Sequence, residues 1–168
     1  MPSNLVGQST HTLEEKKTLA IHFKLVSEFQ TIHRRPFELV DPTILNPTVT
    51  NPLIDGEWLE LDTAVYQMKR GSANPAIVPS FAYFAEQGRY EVQAIKKGPV
   101  LYMGWFEADT TVMLSTGIVV GSPLEVADVD IGGVNKRGLV LRTTGFIVGY
   151  ATRLPSANGG YLRFIRGV

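Results

Sequence analysis

The sequence predicts an all-β fold, a small β-sandwich or barrel with an extended, proline-containing N-terminal arm. The first observation is a C-terminal hairpin pattern. Two sets of side chains alternate with period two over residues 145–154, a turn of Pro, Ser, Ala, Asn and two Gly follows, and residues 161–168 form a second strand. The second observation is that turn residues recur about every eight to twelve positions from residue 57 onward. The third is the content of 16 Gly and 10 Pro, which favours turns over long helices.

The first part of the chain gives two conflicting signals. Residues 1–10 are polar, and Thr12-Leu-Glu-Glu15 fits the capping box that begins a helix. Residues 18–26, in contrast, carry apolar side chains at alternate positions, which a helix would spread over all of its faces. Those side chains are Leu19, Ile21, Phe23 and Leu25. We therefore expect a strand over residues 18–26, with a helix as the alternative.

An extended arm follows, with prolines at positions 42, 47 and 52, each preceded by Asp or Asn. Proline fixes φ and removes a backbone donor, so no helix or central strand is expected through residues 37–56. The arm still carries apolar residues that an extended chain cannot bury on itself, and we expect them to bind a partner surface. These partner-binding residues are Phe37, Leu39, Val40, Ile44, Leu45, Val49, Leu53 and Ile54. The alternative is a long loop that folds back on its own domain.

The chain therefore divides into an N-terminal segment, residues 1–56, and a β domain, residues 57–168. Strands in the β domain are predicted at 58–61, 64–69, 76–85, 90–95, 100–106, 110–114, 118–120, 124–126 and 139–142. Turn chemistry marks residues 71–75 and 96–99. Gly132 and Gly133, which follow Asp128 and Asp130, predict a glycine-rich turn.

Composition and charge argue against several classes of function. Sixteen Lys and Arg balance sixteen Asp and Glu, whereas a nucleic-acid-binding protein needs a surplus of positive charge. The absence of Cys excludes disulfides and zinc–thiolate sites. No apolar run reaches the roughly 20 residues that cross a bilayer, and the N-terminus lacks the pattern of a signal peptide. We expect a soluble protein from a reducing compartment, with neither nucleic acid nor membrane as partner.

No catalytic or metal-binding motif is found. The three His residues lie 11 positions apart, at 11, 22 and 33, which on a helix separates neighbours by about 16 Å, too far for one ion. The segment 128–133 lacks the further ligands of a calcium loop. No nucleophile elbow or phosphate-binding loop occurs, so a hydrolase centred on His33 is the least supported alternative. The sequence predicts no enzyme, no cofactor and no metal site.

Aromatic residues and charges leave two questions open. Aromatic side chains on strands fill a core or, when exposed in one plane, form a sugar-binding platform. The residues concerned are Trp58, Tyr83, Phe84, Trp105 and Phe106. Residues 36–62 also carry six acids and no base, whereas residues 131–168 carry six bases and no acid. Such blocks can attract each other, within one chain or between copies; the alternative is a chance clustering of solvated charges.

The order of short β motifs over residues 57–168 resembles that of structural proteins in tailed-bacteriophage heads. The motifs are Gly121-Ser-Pro-Leu-Glu-Val126, Gly145-Phe-Ile-Val-Gly-Tyr150 and Gly160-Tyr-Leu-Arg-Phe164, and segments 98–103 and 105–110 are also similar. The resemblance implies a head decoration (cement) protein, a β domain on the outer capsid surface of the virion that bridges capsid subunits after synthesis in the host cytoplasm. It implies two partners, the major capsid protein and further copies of the chain in a trimer. The long N-terminal segment departs from compact decoration proteins. A tail or baseplate structural protein and a carbohydrate-binding module are the alternatives.

Overall fold

The computed structural model describes residues 23–28, 33–39, 53–62, 67–70, 80–82, 97–156 and 160–167. All regular secondary structure in these residues is β, which confirms the predicted all-β class. The strands are β1 Phe23–Glu28, β2 His33–Leu39, β3 Trp58–Leu61, β4 Gln67–Arg70, β5 Ser80–Ala82, β6 Lys97–Met103, β7 Trp105–Thr110, β8 Pro123–Ile131, β9 Val134–Leu141, β10 Gly149–Arg153 and β11 Leu162–Gly167.

Six strands form an antiparallel sheet in the order β1-β7-β11-β10-β8-β9. The predicted C-terminal hairpin lies in its middle, where β10 pairs with β11 and Tyr150 lies opposite Ile165. The far side of β11 pairs with β7, from Leu162 opposite Thr110 onward. The far side of β10 pairs with the beginning of β8. Both strands of the hairpin therefore have neighbours on each side.

Five short strands close a small barrel in the order β2-β4-β3-β5-β6. Its pairs are antiparallel except for β2 with β4. The barrel continues directly into the large sheet, because only Gly104 separates β6 from β7. The φ of Gly104 is 125°, in a region that residues with side chains avoid. The single strand predicted over 100–106 is therefore two strands joined at this bend.

One hydrophobic core joins the sheet to the barrel. Trp58 on β3 and Leu101 on β6 belong to the same buried cluster as Phe106 and Phe164 of the sheet. The Trp58 and Phe164 rings lie 6.4 Å apart, and Phe106 meets Phe164 edge-on at 6.2 Å. Separating the barrel from the sheet would expose these rings to water, so apolar burial holds the two parts together.

Two further predictions for the first half of the β domain are wrong. Residues 97–99, expected in a turn, belong to β6, where Pro99 lies opposite Pro36 of β2. A strand is also predicted over residues 110–114, but β7 ends at Thr110. The chain bends there because Thr110 Oγ1 accepts the N–H of Val112 at 3.1 Å. Residues 112–114 then run beside β9 through a single parallel bridge from Met113 to Leu139.

The strand predicted over residues 118–120 is also wrong, because this segment lies between two turns. Gly117 and Gly121 adopt φ values of 75° and 87°, which place a bend on each side. The predicted glycine-rich turn is confirmed at the other end of β8, where Gly132 and Gly133 have positive φ and connect β8 to β9. Segments 124–126 and 139–141 lie within these two longer strands.

The N-terminal segment contributes strands to both parts of the fold. β1 pairs with β7, and Phe23 enters the shared core. β2 pairs with β6 and β4, so the prediction that no central strand enters residues 37–56 is wrong for residues 37–39, which precede the first proline of the arm at position 42. The strand predicted over 18–26 is confirmed for residues 23–26, while the remainder of it and the capping box lie outside the described residues. Both strands precede residue 56 in sequence, yet their hydrogen-bonding partners follow it.

Candidate partner-binding surface

Two loops meet at the beginning of β8. The first, residues 115–121, leads into β8, and the second, residues 142–147, connects β9 to β10. Arg142 N donates to Pro123 O at 3.0 Å and Val148 N donates to Leu124 O at 2.9 Å, so the second loop passes from one side of β8 to the other. We call the exposed apolar residues at this end of the sheet the loop surface: Leu114, Val119, Val120, Phe146 and Tyr150.

The 115–121 loop is fixed by hydrogen bonds at its end. Val119 N donates to Ser122 Oγ at 3.0 Å, and Ser122 N donates back to Val119 O at 3.0 Å. Gly121 N donates to Ala151 O at 2.7 Å, which ties the loop to β10. Ile118 anchors the loop from below, because its side chain is 5% exposed and belongs to the hydrophobic core. Hydrogen bonds and core packing therefore both hold the loop against the sheet.

The 142–147 loop is fixed by the carboxylate of Glu125, a residue of β8 that is 5% exposed. The carboxylate accepts hydrogen bonds from Thr143 Oγ1 at 2.9 Å, from Thr144 N at 3.1 Å and from Gly145 N at 2.5 Å. Burial raises the pKa of this carboxyl, but the hydrogen bonds from Gly145, Thr143 and Thr144 outweigh that effect and lower the pKa. Glu125 therefore holds the loop against β8 in its ionised form.

The side chains of the loop surface are apolar and accessible to solvent. Val119 is 62% exposed and Val120 is 64% exposed, and Leu114, Phe146 and Tyr150 are each about half exposed. A single exposed apolar residue is ordinary, whereas several of them on two neighbouring loops and the adjoining strand make this end of the sheet a candidate interaction site. Because the loops are already ordered, binding there costs little conformational entropy.

Arginines lie near the loop surface. Arg142 is exposed, and its Nε donates to Gly145 O at 2.8 Å. No carboxylate of the described residues lies within ion-pair distance of Arg142. On β10, the half-exposed Arg153 shares Asp109 with Arg163, which holds the Asp109 carboxylate through contacts of 2.8 and 3.0 Å. Of these three arginines, Arg142 is therefore the one whose positive charge no carboxylate of the described residues neutralises.

The predicted aromatic residues divide between core and surface. Trp58 and Phe106 are fully buried, as expected for core residues, whereas Trp105 is 47% exposed. Tyr150 and Glu107 both lie opposite Ile165, so the three side chains share one face of the sheet. Trp105, two residues before Glu107 on β7, points to that same face. Tyr83 and Phe84 lie outside the described residues.

A buried ionic cluster lies between the barrel and the sheet. Glu57 is fully buried, and its Oε1 lies 2.6 Å from Arg70 Nε while its Oε2 lies 3.7 Å from Lys136 Nζ. Ile54 N also donates to this carboxylate at 3.3 Å. Burial raises the pKa of Glu57, and the two cations oppose the rise. Since the cluster has almost no exposed face, we assign it a structural role.

The predicted partner-binding residues of the arm occupy different places. Leu53 and Ile54 are 4% and 8% exposed, so the chain itself already buries them. Phe37 and Leu39 lie on β2. Val40, Ile44, Leu45 and Val49 lie outside the described residues. The contact of the arm residues with a partner stays a prediction.

Sequence reasoning missed the loop surface. Val119 and Val120 carry the β-branched side chains of a strand, and the sequence predicts one there on that basis. The signal that would have found the loop is the pair of glycines at 117 and 121, which allow the two turns that expose the valines. Tyr150 lies on a hairpin strand as predicted, but the strand predicted from residue 145 begins only at Gly149, so Phe146 lies on the 142–147 loop. Periodicity also does not tell which face of a strand meets the core.

Within the described residues, no group of three or more His, Asp or Glu side chains is placed to hold a metal ion. The same residues include no helix with the length and apolar character needed to cross a membrane. The predicted lack of catalytic activity and of cofactors stays a prediction.

Comparison with protein-family models, curated proteins and solved structures finds no match to this chain. Function must therefore be inferred from the residues and their geometry.

Proposed function

We propose that this protein is a non-enzymatic structural component of a bacteriophage virion, which decorates the outer capsid surface and stabilises the shell by bridging capsid subunits. The observation that carries the proposal is the loop surface. Val119 and Val120 are 62% and 64% exposed on a loop that Ser122 and Ala151 hold in place, which favours a protein partner. The resemblance of residues 57–168 to head decoration proteins supports the particular class.

The proposed mechanism is stabilisation by binding. A protein that binds the assembled shell more tightly than the separated subunits shifts the equilibrium toward the shell. Apolar contacts supply roughly 25 cal/mol per Å² removed from water. The order already present in the loops reduces the entropic cost of each contact.

The proposed partners are the major capsid protein and further copies of this chain, in a trimer on the particle. We assign the capsid contact to the arm, where Ile44, Leu45 and Val49 lie between the prolines. Proline restricts φ in the free chain as well, so an arm with three prolines loses less entropy on binding than other extended segments. Apolar residues spaced along such an arm suit a seam between subunits.

Cosedimentation with purified heads that lack the protein tests the capsid contact. Wild type is expected to sediment with the heads and to raise the temperature at which they open. The variant Ile44→Ser/Leu45→Ser/Val49→Ser is expected to bind at least about tenfold more weakly while remaining folded. Leu61→Ser is the matched control, because Leu61 is 47% exposed on β3.

Two results would contradict this proposal. Wild type that stays in the supernatant at every concentration would overturn the capsid role altogether. Undiminished binding by the triple variant would overturn the arm contact alone. Labelling the protein in intact virions separates a head protein from a tail or baseplate protein, since label on the tail would exclude decoration of the capsid.

A second candidate function is carbohydrate binding, favoured by the exposure of Trp105 and Tyr150 on one face of the sheet. The buried Trp58 takes no part in such a site. A glycan array separates the two functions. Glycan binding that is lost in Trp105→Ala would favour the carbohydrate-binding module, whereas an array without signal, together with head binding by Trp105→Ala, would favour the decoration protein.

A further inference from the structure

The hairpin of β8 and β9 has two chemically different ends. Eight residue pairs connect its strands, from Leu124 opposite Leu141 to Ile131 opposite Val134, which corresponds to a length of about 25 Å. The loop surface lies at the Leu124 end. The turn of Gly132 and Gly133 lies at the other end. A contact made by one end of the hairpin therefore cannot involve the other end of the same copy.

The end with the glycine turn, which we call the hairpin tip (residues 128–135), is acidic and partly apolar. Asp130 is exposed and fixed, because its Oδ1 accepts the N–H of Gly133 at 2.7 Å. No cation of the described residues lies within ion-pair distance of Asp130. Asp128 pairs with Arg137 at 2.6 Å and keeps a side chain that is 52% exposed. Ile131 and Val134 add half-buried apolar side chains beside the turn.

The loop surface is complementary to the hairpin tip in charge and in apolar character. Its apolar side chains match Ile131 and Val134, and Arg142 on its rim is the opposite in charge to Asp130. The other acidic residues whose side chains the structure describes suit Arg142 less well, since most of them already have a partner within the chain. Ion pairs engage Glu57, Glu60, Asp62, Asp109 and Asp128.

We infer that the hairpin tip of one copy docks on the loop surface of the next copy, with Asp130 facing Arg142 and with Ile131 and Val134 packed against Val119, Val120 and Phe146. The two surfaces are different patches of the same chain, so the contact is heterologous and produces a ring or a filament. The inference rests on the proposed function only in naming another copy as partner. The experiment that tests the inference uses the protein without phage heads, so its outcome does not depend on the proposed contact with the capsid.

Sedimentation equilibrium of the full-length chain tests this inference. Wild type is expected to associate as its concentration rises. Val119→Ser/Val120→Ser and Arg142→Asp should each raise the dissociation constant about tenfold or more. Asp130→Asn should also weaken association, because it removes the charge but retains the oxygen that accepts from Gly133.

Charge reversal at both positions distinguishes the proposed pairing from a general loss of affinity. Asp130→Arg and Arg142→Asp, each alone, should weaken association about tenfold or more. The double variant should associate again, because the opposite charges are restored at every junction. An equimolar mixture of the two single variants should also associate. Copies that alternate along the assembly bring the introduced arginine to the introduced aspartate at one junction, and the native Asp130 to the native Arg142 at the next.

The same set of variants supplies the controls and the contradictory outcomes. Leu61→Ser should associate as wild type does, and circular dichroism establishes that each variant is folded. Wild type that is monomeric at all concentrations would overturn the inference. So would variants of Val119, Val120 and Arg142 that associate like wild type, or a folded double variant that stays monomeric although wild type associates.

Discussion

Lys136 Nζ lies 3.7 Å from Glu57 Oε2, and this ion pair connects β9 of the large sheet to the residue that precedes β3 of the barrel. Both side chains are buried, with Lys136 4% exposed and Glu57 not exposed at all. The pair joins a residue of the acidic block, 36–62, to a residue of the basic block, 131–168. One attraction between the two blocks is therefore made within a single chain.

Replacing Lys136 with Met is expected to destabilise the fold by about 2 kcal/mol near neutral pH, because it leaves Glu57 buried with Arg70 as the remaining cation. Burial raises the pKa of Glu57 above that of the unfolded chain. Its contribution to stability is therefore present below the ordinary carboxyl pKa and is lost as the pH rises through the raised value. The deficit of the variant should grow from pH 4 to pH 8, as measured by urea unfolding.

Arg137→Met is the control for this experiment. Arg137 is the next residue on β9, but its ion pair with Asp128 is partly exposed, so its loss should cost less than about 1 kcal/mol. Equal destabilisation by Lys136→Met and Arg137→Met would contradict the prediction that losing the buried ion pair with Glu57 costs more than losing the partly exposed pair with Asp128.

Glu125→Gln is expected to destabilise the fold by about 2 kcal/mol at neutral pH, since the two backbone donors of the loop, Thr144 and Gly145, then lose a charged acceptor. The pKa of Glu125 is lowered in the folded state, so its contribution is present above the pKa of the unfolded carboxyl and is lost as the pH falls through the lowered value. Thermal unfolding between pH 2 and pH 7 should show a weaker acid dependence in the variant. Glu107→Gln, which affects one hydrogen bond from Thr152, serves as control. An unchanged acid dependence in Glu125→Gln would refute the prediction.

Gly138→Ala is expected to destabilise the fold by about 3 kcal/mol. A Cβ at this position of β9 would lie 2.5 Å from Val112 O and 2.9 Å from Val129 Cγ2, and the first of these is backbone that pairs with β9. Gly133→Ala should cost only about 1 kcal/mol, since nothing lies within 4 Å of its Cβ and the cost is that of its φ of 83°. Calorimetry would compare the two, and similar melting temperatures would contradict the close approach at Gly138.

Arg166→Lys is expected to destabilise the fold by about 1–2 kcal/mol. Arg166 is 1% exposed, and its guanidinium carbon lies 5.1 Å from the centre of the Trp58 ring. The planar guanidinium stacks on an aromatic face and is less strongly hydrated than an ammonium, so lysine does not replace it in a buried position. Burial also lowers the pKa of Arg166 to about 10, because the charged form loses its hydration.

Fluorescence of Trp58 would follow the unfolding of Arg166→Lys, in a Trp105→Phe background that removes the exposed indole. Arg142→Lys is the control, because that exposed side chain has no aromatic contact among the described residues, and its effect should stay within about 0.5 kcal/mol of zero. A stability of Arg166→Lys equal to that of the control would mean that the stacking on Trp58 contributes nothing.

The sequence by itself determined the all-β class, the C-terminal hairpin and the glycine turn between β8 and β9. These features depend on local chemistry: side chains alternate along a strand with period two, and glycine permits the positive φ of a turn whatever surrounds it. The same local reasoning predicts a strand at residues 118–120, because β-branched residues suit a strand when neighbouring strands are present to pair with them.

Only the tertiary structure decided which residues lie side by side. Glu57 meets Lys136, and Glu125 holds the loop around Gly145, through contacts between residues that are distant in sequence. Charge alone did not select these pairs among sixteen acids and sixteen bases. The exposure of Val119 and Val120 is likewise a result of packing, since Ile118 fills the core beneath them and no periodic pattern in the sequence states which neighbour faces water.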